Sequence, residues 1–155
     1  MKTTSQIAKH ILEFHFGGNW TASNLKTVLD SVTWQQATTK IQDFNTIATL
    51  VFHINYYIDA NLKVLEGEKL NAKDALSFNH PPITNQKDWE QFLDKIFTQA
   101  KQFAELIKQL PDSKLQAYFE DEKYGTYFRN LLGIIEHSHY HLGQIVMLKK
   151  LVVVN

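Results

Sequence analysis

Residues 136–144 read EHSHYHLGQ and lie within a long segment of helical apolar period near the C-terminus. On an α-helix, His137 and His141 would lie one turn apart and about 40° apart around the axis, on one face. Two imidazoles placed in this way can bind one metal ion, whereas His139 would be turned about 200° from His137. Because zinc-type sites use three or four ligands, the pattern predicts a further ligand from another part of the chain.

The candidate for that further ligand is His53, in the middle of a second segment of helical period. His53 would lie about 120° from the apolar stripe of its segment, on the same flank as Tyr57, and His137 and His141 about 80–120° from theirs. All three histidines therefore occupy shoulders of apolar faces, where a helical bundle leaves a cleft. Three partly buried structural histidines would suit the same positions, and the residues alone leave both interpretations open.

Four segments have the length and period of long helices, and together they predict an all-α four-helix bundle with long crossover connections. They cover about residues 3–16, 43–66, 86–110 and 126–151.

Shorter signals lie between these segments. Thr21 or Ser23 is expected to cap one short helix before the second long helix, and Thr33 to cap another. Residues 68–85 contain two prolines and residues 112–125 lack a helical period, so both are predicted to be long connections that could shape a binding pocket.

Length and composition limit the function classes. The 155 residues are expected to form a single domain over residues 1–155, large enough to bury its own core. The absence of cysteine excludes thiolate ligands and a cysteine nucleophile, so a metal would be held by imidazole and oxygen. Sixteen basic residues balance sixteen acidic ones without forming a basic stripe, so no nucleic-acid partner is expected.

Targeting signals are also missing. No segment reaches the roughly 18 apolar residues of a membrane span, and the first residues lack the pattern of a signal peptide. We therefore expect a cytoplasmic protein with no membrane partner. The valines at 152–154 form a β-branched tail that could dock on the body or on a second subunit, which allows a homodimer.

Several polar residues near the histidine pattern have two interpretations. Tyr57, Tyr140 and Gln144 would either pack and face solvent or orient the imidazoles by hydrogen bonds. Glu136 is expected to point away from the face of His137. The histidines outside the pattern are expected at the surface or at an interface: His10, His15 and His80.

Three motifs together resemble the DinB-like family of four-helix metal-binding proteins. They are GGNWT at 17–21, IATLVFH at 47–53 and HxxxHLGQ at 137–144. The family has one histidine on the second helix and HxxxH followed by Gly and Gln or Glu on the last, a pattern that the second and third motifs match. Their order and separation carry the resemblance over essentially the whole chain. His139 is extra to this pattern and has no assigned role.

This resemblance implies that His53, His137 and His141 hold a divalent ion such as zinc, nickel, iron or manganese, with open positions for water or substrate. Characterised relatives include thiol-dependent S-transferases and a mycothiol-dependent isomerase. The implied activity is a metal- and thiol-dependent S-transferase acting on small electrophiles. Its cofactor would be a low-molecular-weight thiol and its partner a small-molecule substrate or thiol, since a bound cation deprotonates a coordinated thiol.

Three alternatives remain open from the sequence. A non-catalytic metal-binding or dimerisation module would close the coordination sphere with protein groups. A metal-dependent hydrolase would need a carboxylate near the ion as general base, and the sequence does not place one. A metal-free bundle that has lost the family site is disfavoured because all three ligand residues are present.

Overall fold

A computed structural model describes residues 2–154, with the side chains of residues 153 and 154 excepted. Within these residues no β-strand forms, and one isolated antiparallel bridge joins Tyr118 to Thr126. The all-α fold predicted from helical periodicity is therefore confirmed. The helices are α1 (Thr3–Phe16), α2 (Leu25–Leu29), α3 (Trp34–Thr38), α4 (Ile47–Leu65), α5 (Gln86–Gln109) and α6 (Tyr127–Val154).

The four long helices α1, α4, α5 and α6 form the bundle, in which α1 packs on α5 and α4 packs on both α5 and α6. Large apolar side chains such as Phe14, Phe103 and Leu131 are completely buried in the core between them. Trp89 is also buried, and its indole N–H donates to the carbonyl of Val32 at 2.9 Å. Burial of each such side chain contributes about 1.5–3 kcal/mol, which stabilises the packing of the long helices against one another.

Two helix starts differ from the sequence-based expectation, and side-chain caps explain both. α4 begins at Ile47 rather than near residue 43, because the Thr46 side chain caps it by accepting a backbone N–H. α2 is capped by Asn24 and not by Thr21 or Ser23. Each cap satisfies a donor that the helix itself leaves unpaired.

The C-terminal valines continue α6 instead of forming a separate tail. The Val152 side chain is buried against the bundle, and those of residues 153 and 154 lie outside the described part of the chain. At the other short helix, the capping box expected at Thr33 is present.

The two long connections are confirmed between α4 and α5 and between α5 and α6. The first contains a 3-10 turn at Asp74–Leu76 and then buries Ser77 completely against the bundle. The second contains 3-10 turns at Asp112–Gln116 and Glu122–Tyr124. Only the first of them brings side chains to the histidines described below.

No helix in the described part of the chain combines the length and the apolar character needed to cross a membrane.

Candidate metal centre

Three histidines from two helices meet in a cleft between α4 and α6. The Nε2 atom of His137 lies 3.0 Å from Nε2 of His53 and 3.0 Å from Nε2 of His141. One ring nitrogen from each of the three lies within 4.8 Å of the others. His53 is buried, whereas the two histidines of α6 are half-buried. The structure thus brings together the residues that the sequence proposed as one cluster.

Hydrogen bonds to Nδ1 assign the tautomer of two of these rings. The Ser77 hydroxyl donates to the carbonyl of Asp74 at 2.6 Å, so its oxygen must accept the hydrogen of His53 Nδ1, 2.8 Å away. Nδ1 of His141 likewise donates to Oε1 of Gln144 at 2.7 Å. As neutral rings, both histidines therefore turn the lone pair of Nε2 toward the centre of the cluster.

This arrangement fits a cation at the centre. His137 carries at most one hydrogen on Nε2, which can complete only one of its two short contacts. The other contact then brings two lone pairs to 3.0 Å, a conflict that a bound cation removes. Two nitrogens held by one ion at about 2.0–2.1 Å are at most about 4.2 Å apart, and both short contacts satisfy this limit. The three histidines are therefore positioned to hold a metal ion.

The surroundings favour the neutral, metal-binding form of the imidazoles. Burial, together with the charges of His141 and His53, lowers the pKa of His137 to about 4. Burial also lowers the pKa of His53, and His141 adds to the effect. At neutral pH these two rings need not lose a proton before they bind a metal.

Aromatic rings and one carboxylate enclose the cluster. The ring of Phe78 stacks on His53 with centroids 4.2 Å apart, and Tyr57 packs edge-on against His53 and His137 at 5.3 and 5.1 Å. The Tyr57 hydroxyl donates to Asp74 at 2.5 Å. Burial and this hydrogen bond raise the pKa of Tyr57 to about 12, so the phenol stays a neutral donor.

The three side chains proposed to orient the imidazoles differ in their contacts. Gln144 bonds directly to His141, and Tyr57 packs on two of the rings. Tyr140 is 65% exposed, and it contacts His141 only through the ring edge, with centroids 4.9 Å apart. Their orienting roles stay predictions.

A cavity of about 400 Å³ opens beside the cluster and is lined by His53 and His137. Other polar groups of its lining are Tyr57, Asn61, Asp74, Arg129, Asn130 and Glu136. Glu136, which the helical spacing turned away from the face of His137, is exposed and lines this cavity. The lining thus includes two acidic residues and one arginine in addition to two of the candidate metal ligands.

Sequence reasoning missed the contributions of Asp74, Ser77 and Phe78. All three belong to the connection between α4 and α5, which has no apolar period from which contacts could be inferred. The one available signal was its length, because a long ordered connection in a small domain is frequently functional.

The expectation that His15 is a surface or interface residue is wrong. Its side chain is 0% exposed, Nδ1 donates to the carbonyl of Ile11 at 2.8 Å, and Nε2 is buried without a hydrogen-bond partner. Burial lowers the pKa of His15 to about 4. His10 is exposed as expected, and His80 is half-buried in a surface connection.

His139, which the histidine pattern left unassigned, faces α1. Its ring packs edge-on against Phe14, with centroids 5.2 Å apart. Burial lowers its pKa, and the charge of His10 adds to the effect. Its position on α6 therefore turns it away from His137 and His141, as the helical spacing predicts.

The fold and site define a helical bundle with a candidate three-histidine metal centre. The sequence model of the DinB superfamily matches residues 19–145, a range that contains all three histidines. The chain belongs to the DinB superfamily, which confirms the resemblance inferred from its motifs. No curated protein and no solved structure shows significant similarity to the chain.

Removing the hydrogen-bond partner of Nδ1 in His53 or His141 tests whether the groups around the imidazoles tune metal affinity. We expect Ser77→Ala and Gln144→Ala each to weaken metal binding about 10–100-fold, because each leaves an imidazole free to rotate or change tautomer. Affinity would be measured by competition with a chromogenic chelator. Tyr140→Phe is the matched control, because it keeps the ring that contacts His141 and should bind metal as the wild type does. Unchanged affinity in both alanine variants would contradict the orienting role.

Proposed function

We propose that this protein binds one divalent ion through His53, His137 and His141 and uses it to activate a small thiol for transfer to an electrophile. The observation that carries the proposal is the cavity of about 400 Å³, which opens onto two of the three imidazoles. A purely structural ion would be better served by a closed environment. Membership of the DinB superfamily supports the same choice.

The bound ion would supply positive charge that lowers the pKa of a thiol brought to it. In the transfer, a bond forms between the thiol sulfur and an electrophilic carbon, and the leaving group departs with its bonding electrons. The thiol proton has acceptors nearby, because Asp74 and Glu136 line the cavity. Ser77 and Gln144 keep the lone pairs of two imidazoles turned inward throughout.

A metal-dependent hydrolase is the second candidate, and the same two carboxylates favour it. Hydrolysis requires a general base for the attacking water, and the sequence alone placed no carboxylate near the histidines. The cavity lining now supplies Asp74 and Glu136. The two activities differ in their co-substrate, so one assay with and without thiol separates them.

Elemental analysis and a thiol-conjugation assay test the proposal. We expect about one equivalent of a divalent metal per chain, as three imidazoles suit zinc, iron or nickel. Consumption of a thiol with 1-chloro-2,4-dinitrobenzene should disappear after chelation and return when the metal is restored. His10→Ala, which changes an exposed histidine outside the cavity, should behave as the wild type.

The other outcomes are equally informative. Stoichiometric metal with ester hydrolysis but no thiol consumption would assign the hydrolase. Stoichiometric metal with neither activity would overturn catalysis and leave a non-catalytic metal-binding module. The expectations of a homodimer, a cytoplasmic location and no nucleic-acid partner stay predictions.

A further inference from the structure

One face of α6 stays exposed from residue 136 to residue 150. Within this range the exposed positions of the helix are separated by alternate steps of four and three residues. They form a stripe, the α6 seam, that consists of Glu136, Tyr140, Gly143, Met147 and Lys150. At 100° per residue these positions fall within about 80° around the helix axis. Such spacing is typical of a helix that packs along another helix.

The middle of the α6 seam is apolar. The side chains of Tyr140 and Met147 are 65% and 58% exposed. Phe44, which is 56% exposed, lines the same groove as both of them. Tyrosine, phenylalanine and methionine are enriched at protein interfaces, and a contiguous exposed apolar surface marks a site of interaction. This surface is therefore suited to contact with another protein.

Gly143 lies at the centre of the α6 seam. A Cβ added there would meet nothing within 4 Å, so packing within the chain does not require a glycine at this position. Glycine inside a helix costs about 0.5–1 kcal/mol relative to alanine. The distance between two packed helices depends on the side chains at their contact, and a glycine there permits a close approach. A helix from outside the chain would account for the missing side chain.

The two ends of the α6 seam carry opposite charges at equal distances from Gly143. Glu136 precedes it by seven residues and Lys150 follows it by seven, which is about 10.5 Å along the axis in each direction. Neither charge forms an ion pair within the part of the chain that the structure describes. A second α6 placed antiparallel across Gly143 would bring its Lys150 opposite Glu136. A parallel α6 would instead bring like charges together, which is unfavourable.

We propose that this protein forms a symmetric homodimer in which the α6 seams of two copies pack antiparallel, with the two-fold axis passing beside Gly143. A two-fold interface uses the same surface on both copies, so that surface must complement itself. The α6 seam does so in charge at both ends. Tyr140, three residues before Gly143, lies opposite residue 146 of the second copy and within reach of its Met147, and contact between an aromatic ring and a thioether is favourable.

The interface adjoins the candidate metal centre. Gln144 lines the groove beside the α6 seam, and its side chain accepts the hydrogen of Nδ1 in His141 at 2.7 Å. A second copy across Gly143 would shield this hydrogen bond from water. Glu136 also lines the cavity at the histidines, so the second copy would place its Lys150 beside a residue of that lining. The homodimer is independent of the proposed thiol chemistry, because it follows from the surface of α6 alone.

Exchanging the two charges tests the antiparallel pairing. Sedimentation velocity over about 1–100 µM would give the dissociation constant of the dimer for wild type, Glu136→Lys, Lys150→Glu and the double variant. Each single change sets like charges against each other at both ends, so we expect about tenfold weaker dimerisation. The double variant restores opposite charges and should regain the wild-type constant. Lys87→Glu, which changes an exposed lysine of α5 by the same charge, is the matched control and should have no effect.

Two changes at Gly143 test the position of the two-fold axis. Gly143→Glu fits the free copy but would set two carboxylates against each other, so we expect a monomer. Gly143→Cys should form a disulfide-linked dimer on oxidation, because the chain has no other cysteine and this residue faces its own copy, whereas Lys87→Cys should not. Circular dichroism would show that each variant remains helical. A wild type that is monomeric at about 100 µM, a double charge variant as weak as the single ones, or a dimer that tolerates Gly143→Glu would overturn the inference.

Discussion

Replacing His137 with alanine is expected to remove stoichiometric metal from the protein while the helical bundle stays folded. Its Nε2 lies 3.0 Å from the Nε2 atoms of both His53 and His141. His137 is therefore the ligand that contacts both of the others. Two remaining imidazoles fall short of the three or four protein ligands of zinc-type sites. The truncated side chain is half-buried and borders an existing cavity, so little core packing is lost.

Elemental analysis of the purified variant would measure the loss, and far-ultraviolet circular dichroism would show that the helices remain. Metal added to wild type should raise its melting temperature by mass action, and the same addition should leave His137→Ala unchanged. His139→Ala is the matched control, because this neighbour on α6 packs on Phe14 instead. A His137→Ala protein that kept the wild-type metal content would show that the ligand assignment is wrong.

Lowering the pH from 7 to 5 is expected to reduce the unfolding free energy of the metal-free protein by about 2 kcal/mol through His15 alone. The folded-state pKa of His15 is about 4, against an ordinary value of 6.5. Between these values the unfolded chain binds a proton that the folded protein excludes, so the unfolded state is favoured as the pH falls. This contribution to stability is complete above pH 6.5 and is lost progressively down to about pH 4.

Urea denaturation of wild type and His15→Leu, both with chelator present, would isolate this effect. The loss of stability between pH 7 and pH 5 should be smaller by about 2 kcal/mol in the variant. The other histidines with lowered pKa are present in both proteins, so their contributions cancel. An identical pH dependence in His15→Leu and wild type would contradict the buried neutral imidazole.

The helices could be predicted from the sequence because their apolar residues recur at the helical period. Residues that interrupt helices, glycine and proline, also follow several of them. α1 and the start of α5 lie where the pattern placed them. The start of α4 was misjudged by about four residues, since the residues from Asp43 onward compete with the cap at Thr46. Boundaries of this kind depend on which of several polar side chains reaches the free N–H groups, and periodicity carries no information on that choice.

The candidate site was predictable only where it lies on helices. His53, His137 and His141 could be proposed because helical spacing fixes the direction of each side chain. Ser77 and Phe78 could not, since the path of an irregular connection is decided by packing that no local pattern encodes. The burial of His15 did leave a signal, because it follows Ile7 and Ile11 at intervals of four residues on the same stripe. The polar character of histidine outweighed that spacing in the sequence-based interpretation.

His53 and His137 are 84 residues apart along the chain but touch in the folded protein. An ion held between them would be a reversible cross-link closing a loop that includes α5 and both long connections. Pulling α4 from α6 would then require breaking coordination bonds, so the ion would lengthen the lifetime of the native state more than it would alter its shape. Metal supply could in this way govern how long each molecule survives proteolysis.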